Sequence, residues 1–275
     1  VFAGIALVQT LPGGELWRCK SCGFMFRHPL LPIERYRALY SQAGADVWES
    51  DFERRDFALV RQCLAKQGAG AGVLDIGCYT GSLLWSLPRH FRLYGVELNQ
   101  AAARIAASRG IDIVAGEVHA LSGTHAKFDV IIACDVIEHM RNPLDFLGQL
   151  RARLEPHGRI LISTGNADAW LWNALGARFW YCSFPEHISF IGQRWLHSMV
   201  GRVGLRLTQL VKFNYRFAAP GPAVVRSLMS TCLFACSPGL YRRLQRAVRG
   251  EHAGALIPPG CGATKDHVFC VLTAG

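Results

Sequence analysis

Residues 73–81, Val-Leu-Asp-Ile-Gly-Cys-Tyr-Thr-Gly, read as a buried strand that breaks at two glycines and runs into a helix. Asp75 lies in the apolar run, and Gly77 and Gly81 frame a tight turn in which backbone can approach a bound ligand where a Cβ would collide. That is the form of a loop that holds a nucleotide-type cofactor. A second strand is expected over 91–96, and Glu97 at its end lies 22 positions after Asp75. In open α/β sheets an acidic side chain about 20 residues beyond the glycine turn accepts hydrogen bonds from ribose hydroxyls. The dinucleotide pattern G-x-G-x-x-G is absent, because Gly77 and Gly81 are four apart with Tyr79 between them. Asp75 would repel a phosphate and suits the cationic ammonium or sulfonium end of a ligand.

Outward from this stretch, strands are expected at 72–76, 91–96, 111–115, 128–133, 158–164, 205–213 and 267–274. Helices are expected between them at 50–66, 80–87, 99–109, 143–154 and 193–203, with a helical excursion over 167–175. Pro88 and Gly110 end two of these helices, and Ser50 is a candidate cap for the first. Strands that alternate with helices specify an α/β fold around a parallel sheet with right-handed crossovers.

The stretch 73–81 resembles the first motif of class I S-adenosylmethionine-dependent methyltransferases, with Tyr79 where that family usually has glycine. Phe128-Asp-Val-Ile-Ile-Ala-Cys-Asp-Val-Ile-Glu-His139, then Arg141-Asn-Pro143, then Leu154-Glu-Pro-His-Gly158 with the strand to Thr164, are similar to its fourth-strand, helix and fifth-strand motifs in order. The resemblance covers roughly residues 50–214 plus the last strand, and is nearest to the small-molecule subgroup of ubiquinone-pathway and cell-surface-sugar type. It implies a Rossmann-like, mostly parallel seven-stranded sheet with helices on both faces.

The resemblance also implies S-adenosylmethionine as cofactor and assigns its contacts. Asp75, Gly77, Tyr79 and Gly81 wrap the methionine part, Glu97 holds the ribose, and Leu98 packs on one face of the adenine. Glu117 sits near the adenine amine, and Cys134 and Asp135 line the pocket beside the substrate. No metal is expected in the site. The expected activity is methyl transfer to a small metabolite, a sugar or a lipid-linked acceptor, at oxygen. An RNA methyltransferase is an alternative, as is a non-catalytic scaffold, which the Tyr79 departure keeps open because its ring could crowd the pocket.

An acidic hydroxyl acceptor needs a base, and imidazole suits proton removal near neutrality. His139, in Glu138-His139, and His187, in Phe184-Pro-Glu-His187, are the two candidates; each could instead pack or cap its loop. Trp170, Trp172, Phe179, Trp180 and Tyr181 form either an aromatic wall over the substrate or ordinary packing beneath a lid.

Residues 1–48 read as a separate segment with Cys19-x-x-Cys22-Gly23, half of a zinc knuckle; a structural zinc site needs four ligands. In the subgroup it resembles, such a pair often follows an earlier cysteine pair, which would lie before Val1. The alternative is a β-hairpin with two reduced thiols. Residues 49–275 form the catalytic domain, with a helical insertion at about 215–266 where the family usually has a short hairpin.

Ten cysteines occur, most placed singly as small buried hydrophobes, and no basic leader precedes the short apolar stretch that follows Val1, so a reducing cytoplasm is expected. The net charge of +10 is localised: 188–250 contains no Asp or Glu and ten Lys or Arg. Residues 238–249 place Leu240, Tyr241, Leu244 and Val248 on one helix face beside Arg242, Arg243, Arg246 and Arg249. Such a basic element can lie on an anionic membrane, grip phosphates of nucleic acid, or cover a sheet edge with solvated arginines. Nucleic acid is disfavoured, because no RNA-binding module accompanies the arginines.

Overall fold

The fold is described by a computed structural model over residues 4–11, 14–42, 54–123, 126–215, 221–249 and 264–275. The Asp75 strand, β4 (Gly72–Ile76), is buried along its whole length in the interior of a seven-stranded sheet. Using chain order, with β5 (Arg92–Val96), β6 (Asp112–Ala115), β7 (Phe128–Cys134), β8 (Leu154–Gly165), β10 (Leu205–Phe213) and β11 (His267–Ala274), the sheet runs β10-β11-β8-β7-β4-β5-β6. Only β11 runs antiparallel, to both β8 and β10.

Alternation along the central strands feeds two cores. Leu74, Ile76, Ile131 and Ala133 face one side with Phe146, Leu147 and Leu196. Val73, Val130 and Ile132 face the other with Leu84, Leu161 and Phe213.

The expected helices are present but differ at their ends. Helix α2 (Arg55–Leu64) begins after Arg54, which is extended, and Ser50 lies outside the described residues. The helix expected over 80–87 is the single turn α3 (Ser82–Trp85), because Gly81 ahead of it is left-handed (φ 79°). Helix α4 (Gln100–Ser108) is capped by Asn99, whose side chain accepts from the Ala101 and Ala102 amides. Helix α5 (Pro143–Ala152) carries its proline in the first turn, as the missing N–H allows. The helical excursion after β8 is α6 (Trp170–Leu175), and helix α7 (Gln193–Met199) passes into a 3-10 turn before β10.

The N-terminal strands β1 (Ile5–Leu11), β2 (Gly14–Cys19) and β3 (Met25–His28) form an antiparallel sheet with β9 (Ser189–Phe190). Cys19 and Cys22 occupy the β2–β3 hairpin turn, closed by the Gly23 amide donating to the Cys19 carbonyl at 3.0 Å. Leu16 and Met25 join Trp172, Phe179 and Phe190 in a third core. This sheet therefore packs on the segment that follows β8. Helix α1 (Ile33–Gln42), which the sequence reading did not anticipate, then crosses to the open end of the large sheet.

Of the insertion, α8 (Pro222–Cys236) and α9 (Pro238–Arg249) are described as a helical hairpin; residues 216–220 and 250–263, including the expected stop at Gly250, lie outside the described residues. Among the described residues no helix is long and apolar enough to cross a membrane.

Candidate active site

At the carboxyl ends of β4, β5 and β7 a cavity of about 660 Å³ opens, within the usual range for small-molecule sites. Gly77, Tyr79, Glu97, Leu98, Glu117, Cys134, Asp135, His139 and His187 all line it. Asp75 lines a smaller recess next to it, which shares Gly77, Tyr79, Cys134 and Arg54 with the main cavity. Gly81 faces elsewhere: a Cβ there would lie 2.1 Å from the Ile111 side chain, so this glycine allows the turn to pack on the neighbouring helix and strand.

The turn is held open by Glu97. Tyr79 adopts φ 52°, a left-handed conformation that costs a side-chain-bearing residue about 1–2 kcal/mol. Its amide donates to Glu97 Oε2 at 2.8 Å, while the Asn99 amide donates to Oε1 at 2.7 Å. Each carboxylate oxygen keeps a lone pair for a further donor. Burial raises the Glu97 pKa, and the backbone hydrogen bonds oppose that rise. Asp75 is only 5 % exposed, and burial pushes its carboxyl up to about 8, against the pull of Arg54 and with further repulsion from Glu97 and Asp56. A cation placed in the recess would favour the carboxylate.

A second charged cluster faces the cavity from α2 and the end of β7. Asp135, at φ 55°, accepts on Oδ2 from Arg54 (2.8 Å) and from the Tyr215 hydroxyl (3.0 Å). Its Oδ1 is buried and has no partner among the described residues. Arg54 also pairs with fully buried Asp56 and lies over the Phe57 and Tyr215 rings. Burial works against the guanidinium charge, and Asp135 and Asp56 outweigh it, so the pKa is raised. At the far end, Arg37 of α1 grips Glu117 with two bonds of 2.8 and 2.9 Å, and His119 approaches it at 3.0 Å.

The two candidate bases, distant in sequence, are adjacent in space. The His139 and His187 ring centroids are 4.9 Å apart at 63°. His139 Nδ1 lies 3.0 Å from the Glu186 carbonyl and 2.7 Å from the Tyr40 hydroxyl; His187 Nδ1 lies 2.9 Å from the Tyr181 carbonyl. The Tyr181 carbonyl can only accept, so His187 Nδ1 carries the proton and its neutral ring keeps a lone pair on Nε2, whereas at His139 the Tyr40 hydroxyl can either donate to Nδ1 or accept from it. Burial, and then the neighbouring His139, hold the His187 pKa well below its ordinary value. Beneath the pair, buried Glu138 accepts from the Tyr181 hydroxyl and from Thr164 (2.8 Å), and burial raises its pKa. Glu138, His139 and His187 also bring one metal-ligand atom each within 4.8 Å of one another, although the Glu138 oxygens are already engaged by Tyr181 and Thr164.

A family described as Methyltransferase domain matches residues 48–210. The chain belongs to this family and is a class I S-adenosylmethionine-dependent methyltransferase. Among curated proteins, the methyltransferase is similar to the ubiquinone biosynthesis O-methyltransferase of Coxiella burnetii, 25 % identical over 53 % of this chain and 68 % of that one. The Aeromonas salmonicida protein of the same name is 29 % identical over 53 % of this chain and 67 % of that one. A tRNA U34 carboxymethyltransferase of Pseudoalteromonas translucida is 32 % identical over 34 % of this chain and 32 % of that one.

Solved structures of like fold include a chain of the Haloferax volcanii complex between the Trm112 methyltransferase activator and a methyltransferase (TM-score 0.58, 13 % identity, 86 % of this chain and 97 % of that one). Another is the N-methyltransferase NodS of Bradyrhizobium japonicum with S-adenosyl-l-homocysteine (TM-score 0.53, 15 % identity, 87 % and 97 %). At these identities the likeness concerns the fold.

The methyltransferase's expected aromatic wall is divided. Trp172 and Phe179 stack at 4.7 Å inside the third core, Trp170 is 60 % exposed, and only Trp180 and Tyr181 line the cavity. Among the described residues, the histidine–glutamate group is the one gathering of three or more metal-ligand side chains, and it does not include Cys19 or Cys22. Arg54, Tyr215, Arg37 and Tyr40 were missed by the sequence reading. Arg54 and Tyr215 lie outside the motif-bearing segments, and their partner Asp135 is 81 and 80 positions away. Helix α1 carries Arg37 and Tyr40 and has no motif of its own.

Proposed function

We propose that this cavity binds S-adenosylmethionine along the Asp75–Tyr79 turn and Glu97, and that the methyl group passes to a hydroxyl oxygen of a small metabolite, a sugar or a lipid-linked acceptor. The observation that carries the reading is the His139–His187 pair, each Nδ1 engaged by a carbonyl, on the wall shared with Asp135. The names of the ubiquinone-pathway relatives support oxygen as the acceptor atom.

The residues present fit the cofactor. The glycine turn leaves room for backbone to approach it, the spare lone pairs of Glu97 suit two ribose hydroxyls, and Asp75 offers a buried carboxylate to a cation. Leu98 offers an apolar face to adenine, and Glu117 offers an acceptor to its amine, shared with Arg37. Cys134 and Asp135 line the same cavity as the turn and the histidines. When bound, S-adenosylmethionine supplies a methyl carbon already activated by sulfonium.

The remaining work falls to the chain. Its walls align the acceptor oxygen with that carbon, and such orientation contributes on the order of 7–11 kcal/mol. His139 or His187 would take the acceptor O–H proton on a free imidazole nitrogen, while bound S-adenosylmethionine would supply the methyl group and retain the C–S electron pair. Aromatic Trp180, Tyr181 and Phe184 favour a planar or apolar acceptor body. Supplying labelled S-adenosylmethionine with a panel of phenols, sugars and polyprenyl-linked sugars tests this. Label is expected in a methyl ether of one class, and label recovered only on nitrogen, on RNA or on none of the panel would refute the proposal.

The N-terminal sheet enters this chemistry through Arg27 of β3. Its guanidinium donates to the carbonyls of Cys182, Phe184 (3.1 Å) and His187 (2.6 Å), clamping the loop that carries His187. Arg27→Ala is therefore expected to lower turnover by about a hundredfold through misplacement of that loop. S-adenosylmethionine affinity, measured by calorimetry, is expected to stay at the parental value, and Arg27→Lys to recover part of the rate. A joint loss of affinity and rate would point to a general folding defect.

A further inference from the structure

We propose that α9 is a membrane-docking helix that lays Leu240, Leu244 and Val248 into the headgroup layer of an anionic phospholipid bilayer. These side chains are 47 %, 47 % and 81 % exposed. Spaced at i, i+4 and i+8, they form one stripe along the helix. Arg242, Arg243 and Arg246 are exposed beside it. Tyr241 explains why the stripe faces outward. It is buried, with its ring edge-on to Phe234 of α8 at 5.4 Å, so α9 is pinned to α8 by that ring while Leu240, Leu244 and Val248 remain at the surface. Helix α8 adds exposed Val225 and Met229.

Charge selects the occupant. The whole run 188–250 carries ten Lys or Arg and no Asp or Glu. A second copy docked symmetrically on this face would bring two sets of arginines together with no acid from either 188–250 run to separate them. A nucleic acid would use the arginines and leave the apolar stripe in water. An anionic bilayer satisfies both parts, taking the apolar side chains below its headgroups and the guanidinium groups at its phosphates.

The location matters for the cavity. Leu228 and Ala235 of α8 pack on the core that holds Trp172, Phe179 and Tyr181, and Arg178 donates to the Ala235 carbonyl at 3.0 Å. Tyr181 and Trp180, part of the same packing, line the cavity. Docking through α9 thus holds the aromatic wall of the active site near the layer in which an acceptor with an apolar tail resides. Membrane docking itself does not depend on which acceptor is used.

Flotation of the full chain with two kinds of vesicle tests the proposal: phosphatidylcholine alone, and phosphatidylcholine with an equal part of phosphatidylglycerol. The chain is expected to float with the anionic vesicles, less so as salt screens the arginines, and to remain unbound with the neutral ones. Replacing Arg242, Arg243 and Arg246 together by glutamine is expected to weaken partitioning about a hundredfold. Leu244→Ser with Val248→Ser is expected to weaken it about tenfold or more. Unchanged S-adenosylmethionine affinity and melting temperature show that each variant is folded, and none of these residues lines the cavity. The proposal is overturned if the parent chain does not float with anionic vesicles, or if neither variant changes its flotation. It is equally overturned if the parent is a dimer that Leu244→Ser with Val248→Ser dissociates, or if it retards RNA while ignoring vesicles.

Discussion

At pH 8 and without cofactor, Asp75→Asn is expected to melt at a higher temperature than the parent chain, and the same substitution is expected to weaken S-adenosylmethionine binding about ten- to a hundredfold. Both effects come from one buried carboxyl. Its folded pKa is raised, to about 8, above an unfolded value of about 3.9. The folded protein therefore binds the Asp75 proton more tightly than the unfolded chain does. Stability from this group is fully present below the unfolded value and is lost as pH rises toward 8. The loss is on the order of a few kcal/mol, and asparagine removes it. Raised Glu97 and Glu138 shift in the same direction, so the cofactor-free parent is expected to lose stability between mildly acidic and neutral pH.

A cationic ligand reverses the penalty, because it selects the ionised carboxylate. Affinity in the parent is thus expected to rise by up to about tenfold per pH unit until about 8, and then level off. In Asp75→Asn that slope is expected to disappear. Thermal melts across pH, with and without S-adenosylmethionine, measure both halves; a variant that melts lower than the parent at pH 8 while binding the cofactor normally would remove Asp75 from the site.

The second large effect concerns the histidine pair. His139→Ala is expected to lower kcat by about 10²–10⁴-fold, the usual range for a lost general base, with S-adenosylmethionine affinity unchanged. The double variant with His187→Ala is expected to be scarcely slower than the more damaging single variant, because groups that act as a unit are not additive. The pair divides its roles by environment. His187 is 8 % exposed, its pKa lies well below the ordinary value, and its Nδ1 is tied to Tyr181. It therefore stays neutral at pH values where a free imidazole already gains its charge. Were His187 the proton acceptor, the rate would hold to well below pH 6.5, and His187→Ala would be the slower single variant. Unchanged turnover in both single variants would mean that neither imidazole takes the proton.

The order of strands and helices was legible because each is a local pattern. The Asp75 strand, the Asn99 cap and Pro143 at the first turn of α5 each lie within a few residues of the feature they control. The cofactor end of the cavity was legible for the same reason: the Tyr79 turn and Glu97 are separated by one crossover and meet through a single hydrogen bond. Less of the acceptor end could be read. His139 and His187 were identified singly, and their adjacency follows from the Ile188 amide bonding to the Glu138 carbonyl, a pairing between irregular segments that no periodicity announces. Arg54 immediately precedes a helix whose pattern was read for its apolar face, and its partners Asp135 and Tyr215 follow β7 and β10, two strands that are not neighbours in the sheet. The short α3 departs from expectation because left-handed Gly81 delays its start and Pro88 follows soon after, leaving one turn between them. Arg27 reads in sequence as an ordinary strand arginine; only the return of residues 182–190 beneath β3 makes it a clamp.

The most direct measurement is calorimetric titration of S-adenosylmethionine into the parent chain near neutral pH, in two buffers of different ionisation enthalpy, alongside Asp75→Asn and Glu97→Ala. The parent is expected to bind the cofactor with release of close to one proton to the buffer, Asp75→Asn to bind weakly without that release, and Glu97→Ala to bind weakly. Binding with no proton release, or parental affinity in both variants, would contradict the placement of the methyl donor between the buried Asp75 carboxyl and Glu97.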